Sequence, residues 1–155
     1  LMNKTQLNIK DNARHNSIIK KTASRICSTQ VLYGASFVKS DIDFLIKSYM
    51  DNYLPSILIE LGIKKIDTDL FDLITKGVYK NILSIDNIIC KHLSKNWGFN
   101  RLSETEKSVL RLATYELCFD KRFKKITIIN EYISIIESFG GNPNFANGIL
   151  ENISK

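Results

Sequence analysis

Proline is nearly missing from this chain, and histidine with it. Two prolines, Pro55 and Pro143, and seven glycines in 155 residues are too few for an all-β sandwich built on tight turns, and too few for a linker-rich or low-complexity chain. His15 and His92 are the only histidines, so a zinc site is poorly supplied with ligands and no metal is expected. Cys27, Cys90 and Cys118 are odd in number, far apart and free of C-x-x-C pairing. That excludes a disulfide framework, and their apolar helical surroundings read as those of reduced core residues in a cytoplasmic protein. No stretch approaches the roughly 18 consecutive apolar residues of a membrane span, and the leading residues are too polar for a signal peptide. Leu1 ahead of Met2 reads as an addition to the natural start.

Catalytic motifs are missing as well. No G-x-S-x-G, P-loop, G-x-G-x-x-G, H-E-x-x-H or EF-hand pattern occurs, and no cofactor is implied. Glu116 and Glu131 fall within apolar helical patterns, where an acid–base pair is conceivable. Carboxylates so placed are more often tied to a buried cation, for which Arg111 is the candidate beside Glu116. The sequence therefore reads as that of a binding protein and not of an enzyme.

What is present is a helical pattern. From Asn16 or Ser17, apolar or small residues recur at Ile19, Ala23, Ile26, Cys27, Tyr33, Gly34 and Phe37, one face of a helix. Lys21 and Arg25 lie opposite that face, while Val31 and Leu32 make its second half apolar on several sides. This helix should leave solvent at its basic end and run into the body of the protein. Gln30, on the buried stripe, then requires a polar partner. Asp41 opens a second pattern that Pro55 interrupts and Gly62 ends. Asp67 caps a third and Ser84 a fourth.

Ser103 and Glu106 form an S-x-x-E capping box before "KSVLRLATYELC". Thr127 opens a helix stopped by Gly140 and Gly141, and Asn142 with Pro143 begins the last one. Gly148 inside that helix implies close packing against a neighbouring backbone. The expectation is an all-α, single-domain bundle of about seven helices over residues 17–155, preceded by a flexible, basic arm at residues 1–16.

Acidic side chains are nearly absent from the leading quarter of the chain. Residues 1–40 hold Lys4, Lys10, Arg14, Lys20, Lys21, Arg25 and Lys39 against the single acid Asp11, which accounts for the whole net charge of +6. The remainder is balanced. A basic arm on a neutral body is the footprint of a protein that binds a polyanion.

Four stretches, "SRICSTQVLY", "RLSETEKSVLRLATYEL", "ITIINEYISIIESFG" and "FANGILENI", resemble, in this order and spacing, the NusB family of bacterial transcription antitermination factors. The resemblance is strong in residues 20–33 and 97–153. It implies two packed helical subdomains without catalysis. It also implies binding of single-stranded boxA-type ribosomal RNA together with the ribosomal protein NusE, inside an RNA polymerase antitermination complex that suppresses premature termination. The family's arginine-rich segment falls on Lys20, Lys21 and Arg25, with Arg14 in the arm as a further cation. Lysines stand where arginines are usual, so the planar fork that grips phosphate is lost there.

The resemblance places Phe145, the aromatic of the "FANG" motif, near RNA, and Tyr33 and Glu106 on the face for the protein partner. An acidic residue expected shortly before that motif is absent from "GGNPN". Two other readings stay open: a helical protein-interaction module with an incidental basic arm, and the RNA-docking domain of a ribosomal RNA methyltransferase, of which this chain would be a fragment.

Overall fold

The computed structural model describes residues 3–155, apart from the side chain of Ile9; Leu1 and Met2 lie outside the described residues. Among the described residues eight α-helices follow one another: α1 (Lys4–Ala35), α2 (Ile42–Asn52), α3 (Leu54–Leu61), α4 (Thr68–Lys80), α5 (Ile82–His92), α6 (Glu104–Cys118), α7 (Lys125–Ser138) and α8 (Pro143–Ser154). One 3₁₀ turn, Phe99–Arg101, precedes α6. The all-helical expectation stands, with eight α-helices in place of seven. The extra helix comes from Pro55, which starts α3 in its first turn after a break at Tyr53.

Local chemistry explains most boundaries. Asp67 accepts from Leu70 N–H at 3.1 Å and caps α4. Ser103 and Glu106 form the expected reciprocal box on α6, at 3.1 and 3.2 Å. Asn142 accepts from Phe145 N–H at 3.1 Å with Pro143 in the first turn of α8. Gly140, at φ 81°, takes the left-handed conformation that ends α7.

Three boundaries differ from the sequence expectation. α1 starts at Lys4, not at Asn16 or Ser17, because Asn3 and Gln6 make a capping box of their own at 2.9 and 3.1 Å. Its first turns are helical without tertiary burial. α5 starts at Ile82, with Asn81 ending α4 and opening α5, so Ser84 is not a cap. α7 starts at Lys125, two residues before Thr127.

Buried side chains gather in two clusters. The smaller joins Ala23, Cys27 and Val31 of α1 to α2, the start of α3, Ile66 and Phe71 of α4. The larger joins Leu32 of α1 and the opposite side of α4 to α5, α6, α7 and α8. α1 and α4 thus belong to both. They run side by side: Ser24 Oγ donates to Asp67 C=O at 2.8 Å, and Thr75 Oγ donates to Ser28 Oγ at 2.8 Å.

Close approach of α4 to α6 depends on Gly77, where a Cβ would sit 2.2 Å from Tyr115 Cζ. Gly148, expected to permit such packing, has nothing within 4 Å of the Cβ position. The helix there faces open space. The three cysteines differ from the core reading too: Cys27 is buried, Cys118 half-buried and Cys90 exposed. Among the described residues no helix is long and apolar enough to cross a membrane, and no cluster of three metal-ligating side chains occurs.

Candidate nucleic-acid interface

The basic start of α1 does not act as one face. From Lys4 to Ile18 the described side chains are solvent-exposed, and burial begins at Ile19 and Lys20. Where the helix enters the body its cations diverge. Lys20 turns towards α4 and lines a cleft of about 350 Å³ with Lys65, Asp67 and Asp69. Lys21 turns towards α7, donates to Ser17 Oγ at 2.8 Å, and lines a second cleft of about 410 Å³ with Arg14, Ser17, Phe123 and Thr127.

Arg25 is a correction. Four residues after Lys21, it was expected on the solvent side, yet only 2% of it is exposed. Its Nε and Nη2 donate to Glu116 of α6 at 2.8 and 3.0 Å, and Nη1 lies 3.4 Å from Glu131 of α7. Tyr132 O–H donates to the same Glu116 carboxylate, and Thr22 Oγ donates to Glu131 at 2.9 Å. Burial opposes the charge on Arg25, but the hydrogen bond and attraction to Glu116 outweigh it and hold its pKa above the ordinary arginine value. Burial first, and Glu116 second, push the Tyr132 hydroxyl well above the ordinary tyrosine range.

The guanidinium thus faces two glutamates, while Arg25 also borders the cleft of Arg14 and Lys21. Glu116 takes Arg25 as its partner, while Arg111, the expected one, pairs with Asp86 at 2.7 Å. Only after α6 and α7 close over the far side of α1 does the reason become visible: the face opposite the first stripe is also covered.

Phe145 is half-buried, packs on the larger core and stands against Trp97 with ring centroids 5.7 Å apart. It lies at the C-terminal end of α7, since α8 begins just after Gly141, which abuts Ile136. Lys21 and Phe123 lie at the other end of that 14-residue helix, about 20 Å away at 1.5 Å per residue. The cations of α1 and Phe145 are therefore not gathered in one pocket.

Tyr33 is exposed, edge-on to Phe37 at 5.0 Å, so the apolar stripe of α1 leaves the core before its end. It borders a groove of about 600 Å³ shared with Val38, Tyr53 and Ile57. At the floor, Tyr49 O–H donates to Gln30 Oε1, the partner Gln30 required. Glu106 is half-buried and committed to its capping box.

One element escaped the sequence reading. The stretch "DKRFKK", the α6–α7 loop with the first residue of α7, carries Lys121, Arg122, Lys124 and Lys125 against the single acid Asp120. Phe123 from this loop lies under Lys21 Nζ at 5.9 Å and Arg25 Cζ at 5.2 Å. The run was legible as a local charge cluster, but acids elsewhere cancel it in the total for residues 41–155.

Where α1 enters the body, Lys20 and Lys21 stand on two separate clefts, with Asp67 and Asp69 on one and Glu131 on the other. The NusB family model matches residues 22–155. The chain belongs to the NusB family. The Transcription antitermination protein NusB of Sphingopyxis alaskensis is 30% identical over 137 residues, covering 87% of this chain and 92% of that protein. That of Sulfurimonas denitrificans is 42% identical over 101 residues, covering 64% and 75%. The match to the Fervidobacterium nodosum protein, 45% identical, spans 57% of that protein.

Among solved structures, Thermotoga maritima NusB superposes with a TM-score of 0.63 at 30% identity, covering 86% of this chain and 89% of that one. A NusB in complex with NusE and double-stranded RNA, at 24% identity and a TM-score of 0.67, shares the NusB fold over 87% of this chain and 96% of its own.

Proposed function

We propose that this NusB-family chain is a transcription antitermination factor of the bacterial cytoplasm, without catalytic activity. It binds single-stranded boxA-type ribosomal RNA together with NusE and, within the RNA polymerase antitermination complex, prevents premature termination. Its relatives carry the name of transcription antitermination protein over most of this chain's length, and a NusB with NusE and RNA shares its fold. The observation that carries the RNA reading is the placing of exposed Arg14 and half-buried Lys21 on one cleft where α1 meets the body.

In this reading residues 1–16 are a basic arm and residues 17–155 the helical domain, with two subdomains corresponding to the two buried clusters. Arg14, Lys20 and Lys21 contact phosphates. Arg25 acts by holding α1 against α6 and α7. Phe145 offers a ring edge to a base farther along the strand, about 20 Å from the cations by the length of α7. Tyr33 and Glu106 belong to the NusE face.

The test is binding of the protein, alone and with NusE, to a boxA RNA and a scrambled control at several salt concentrations. If three or four phosphates are engaged, log K falls with log salt at a slope of about −2 to −3. Equal binding of both RNAs in the presence of NusE would remove the specific reading. The exposed aromatics Tyr33, Phe37 and Tyr53 favour a second reading, a protein-interaction module whose basic arm is incidental. Under it, Lys20→Ala with Lys21→Ala leaves function intact.

A further inference from the structure

From Asp120, between α6 and α7, to Lys125, the first residue of α7, six consecutive residues comprise four cations, one acid and one aromatic ring. Like charges so close repel one another, and the repulsion is relieved only by solvent, by a carboxylate or by an external anion. Arg122 has Asp120 at 3.0 Å, and Lys125 Nζ donates to the Ser154 carbonyl at the end of α8. Among the described residues, Lys121 and Lys124 have no carboxylate within salt-bridge distance, and both are exposed.

The loop is also anchored. Phe123 is half-buried, packs on the larger core and sits beneath Lys21, Arg25 and Arg122, whose charged groups are 5.2 to 5.9 Å from its ring centroid. The ring therefore ties the loop to α1 and lines the cleft whose cations, Arg14, Lys21 and Arg25, all come from α1. Glu131, the acid on that cleft, is occupied by Thr22 and Arg25.

We propose that the α6–α7 loop is a second phosphate-binding element for the same RNA strand, with Lys121 and Lys124 as its contacts and Phe123 as the side chain that positions them. This rests on the RNA reading above and extends it. The strand held by Arg14 and Lys21 passes over the loop towards the N-terminal end of α7. Contacts of this type position the strand without reading bases.

The experiment measures affinity for a short fluorescein-labelled single-stranded RNA, in boxA and scrambled sequence, from 0.05 to 0.5 M salt. It compares the parent protein with K121A/K124A and with K80A/K91A, which removes the same charge from the last turns of α4 and α5. Losing two phosphate contacts should flatten the salt slope by about 1.4, or about 25-fold in affinity at 0.1 M salt relative to 1 M, equally for both RNAs. K80A/K91A should keep the parent slope. Phe123→Leu should lower affinity without removing a charge, with an unchanged circular-dichroism melt as its control for folding.

A steep parent slope retained in K121A/K124A would overturn this proposal alone and leave the loop's charge to an acidic protein surface. Equal flattening in the two double variants would also overturn it, as a general charge effect. A parent affinity that ignores salt would overturn the RNA reading, and this one with it.

Discussion

Lys21 and Arg25 are one helical turn apart and have opposite fates. Lys21 keeps its ammonium at the rim of a cleft, while Arg25 spends all three guanidinium nitrogens on two glutamates. Their difference in role is testable by stability. Arg25→Ala strands Glu116 without its counter-ion in a buried site and should cost about 3–5 kcal/mol in denaturant unfolding. Lys21→Ala should cost little stability and act on RNA affinity. Thr114 offers a converse case: its hydroxyl is fully buried and, among the described residues, without a hydrogen-bond partner. Thr114→Val removes that unsatisfied group and should raise stability by about 1 kcal/mol in the same assay. Cysteine labelling reads burial directly. Cys90 should react with a maleimide at once, and Cys118 more slowly. Cys27, buried and with its thiol pushed up chiefly by burial, should react only after unfolding, since a raised pKa also depletes the thiolate.

At the level of the element, α1 is two helices in one. Its last half is packed on both clusters, whereas from Lys4 to Ile18 no described side chain is buried. A helix of about four turns without packing is marginal in water. Amide exchange should therefore be fast before Ile19 and slow from Ala23 to Leu32. Trypsin should cut at Lys10 and Arg14 before any site in the body. The capping signals of α4, α6 and α8 were legible because each is written within four residues. The start of α1 was not: its Asn3–Gln6 box precedes no apolar stripe, so periodicity has nothing to register. α5 was misplaced because Asn81 serves two helices at once. Gly77 carries no signal of its own, since only Tyr115, on a helix distant in sequence, gives it meaning. The candidate site was half legible for the same reason. Charge along the first forty residues is a local property, but the burial of Arg25 and the arrival of the 120–125 loop beside Lys21 are decided by the docking of α6 and α7.

For the molecule as a whole, alkaline pH probes the network that joins these helices. Tyr49, Tyr115 and Tyr132 are each held above the ordinary tyrosine range, burial being the first cause in every case. A group whose folded pKa is raised contributes its full stability below the unfolded value, near 10 for tyrosine, and loses it as pH climbs beyond. Thermal stability should therefore hold to about pH 9.5 and decline above pH 10, with Tyr132→Phe showing a shallower decline.

The sharing of α1 and α4 between both clusters has a further consequence. Among the described residues, a plane drawn between the two clusters would cut through α1 and α4, each packed on both sides. The protein cannot answer a ligand by hinging open in the middle, so any adjustment to an incoming strand has to be made at its margins, by the free half of α1 and by the short connections at the rim.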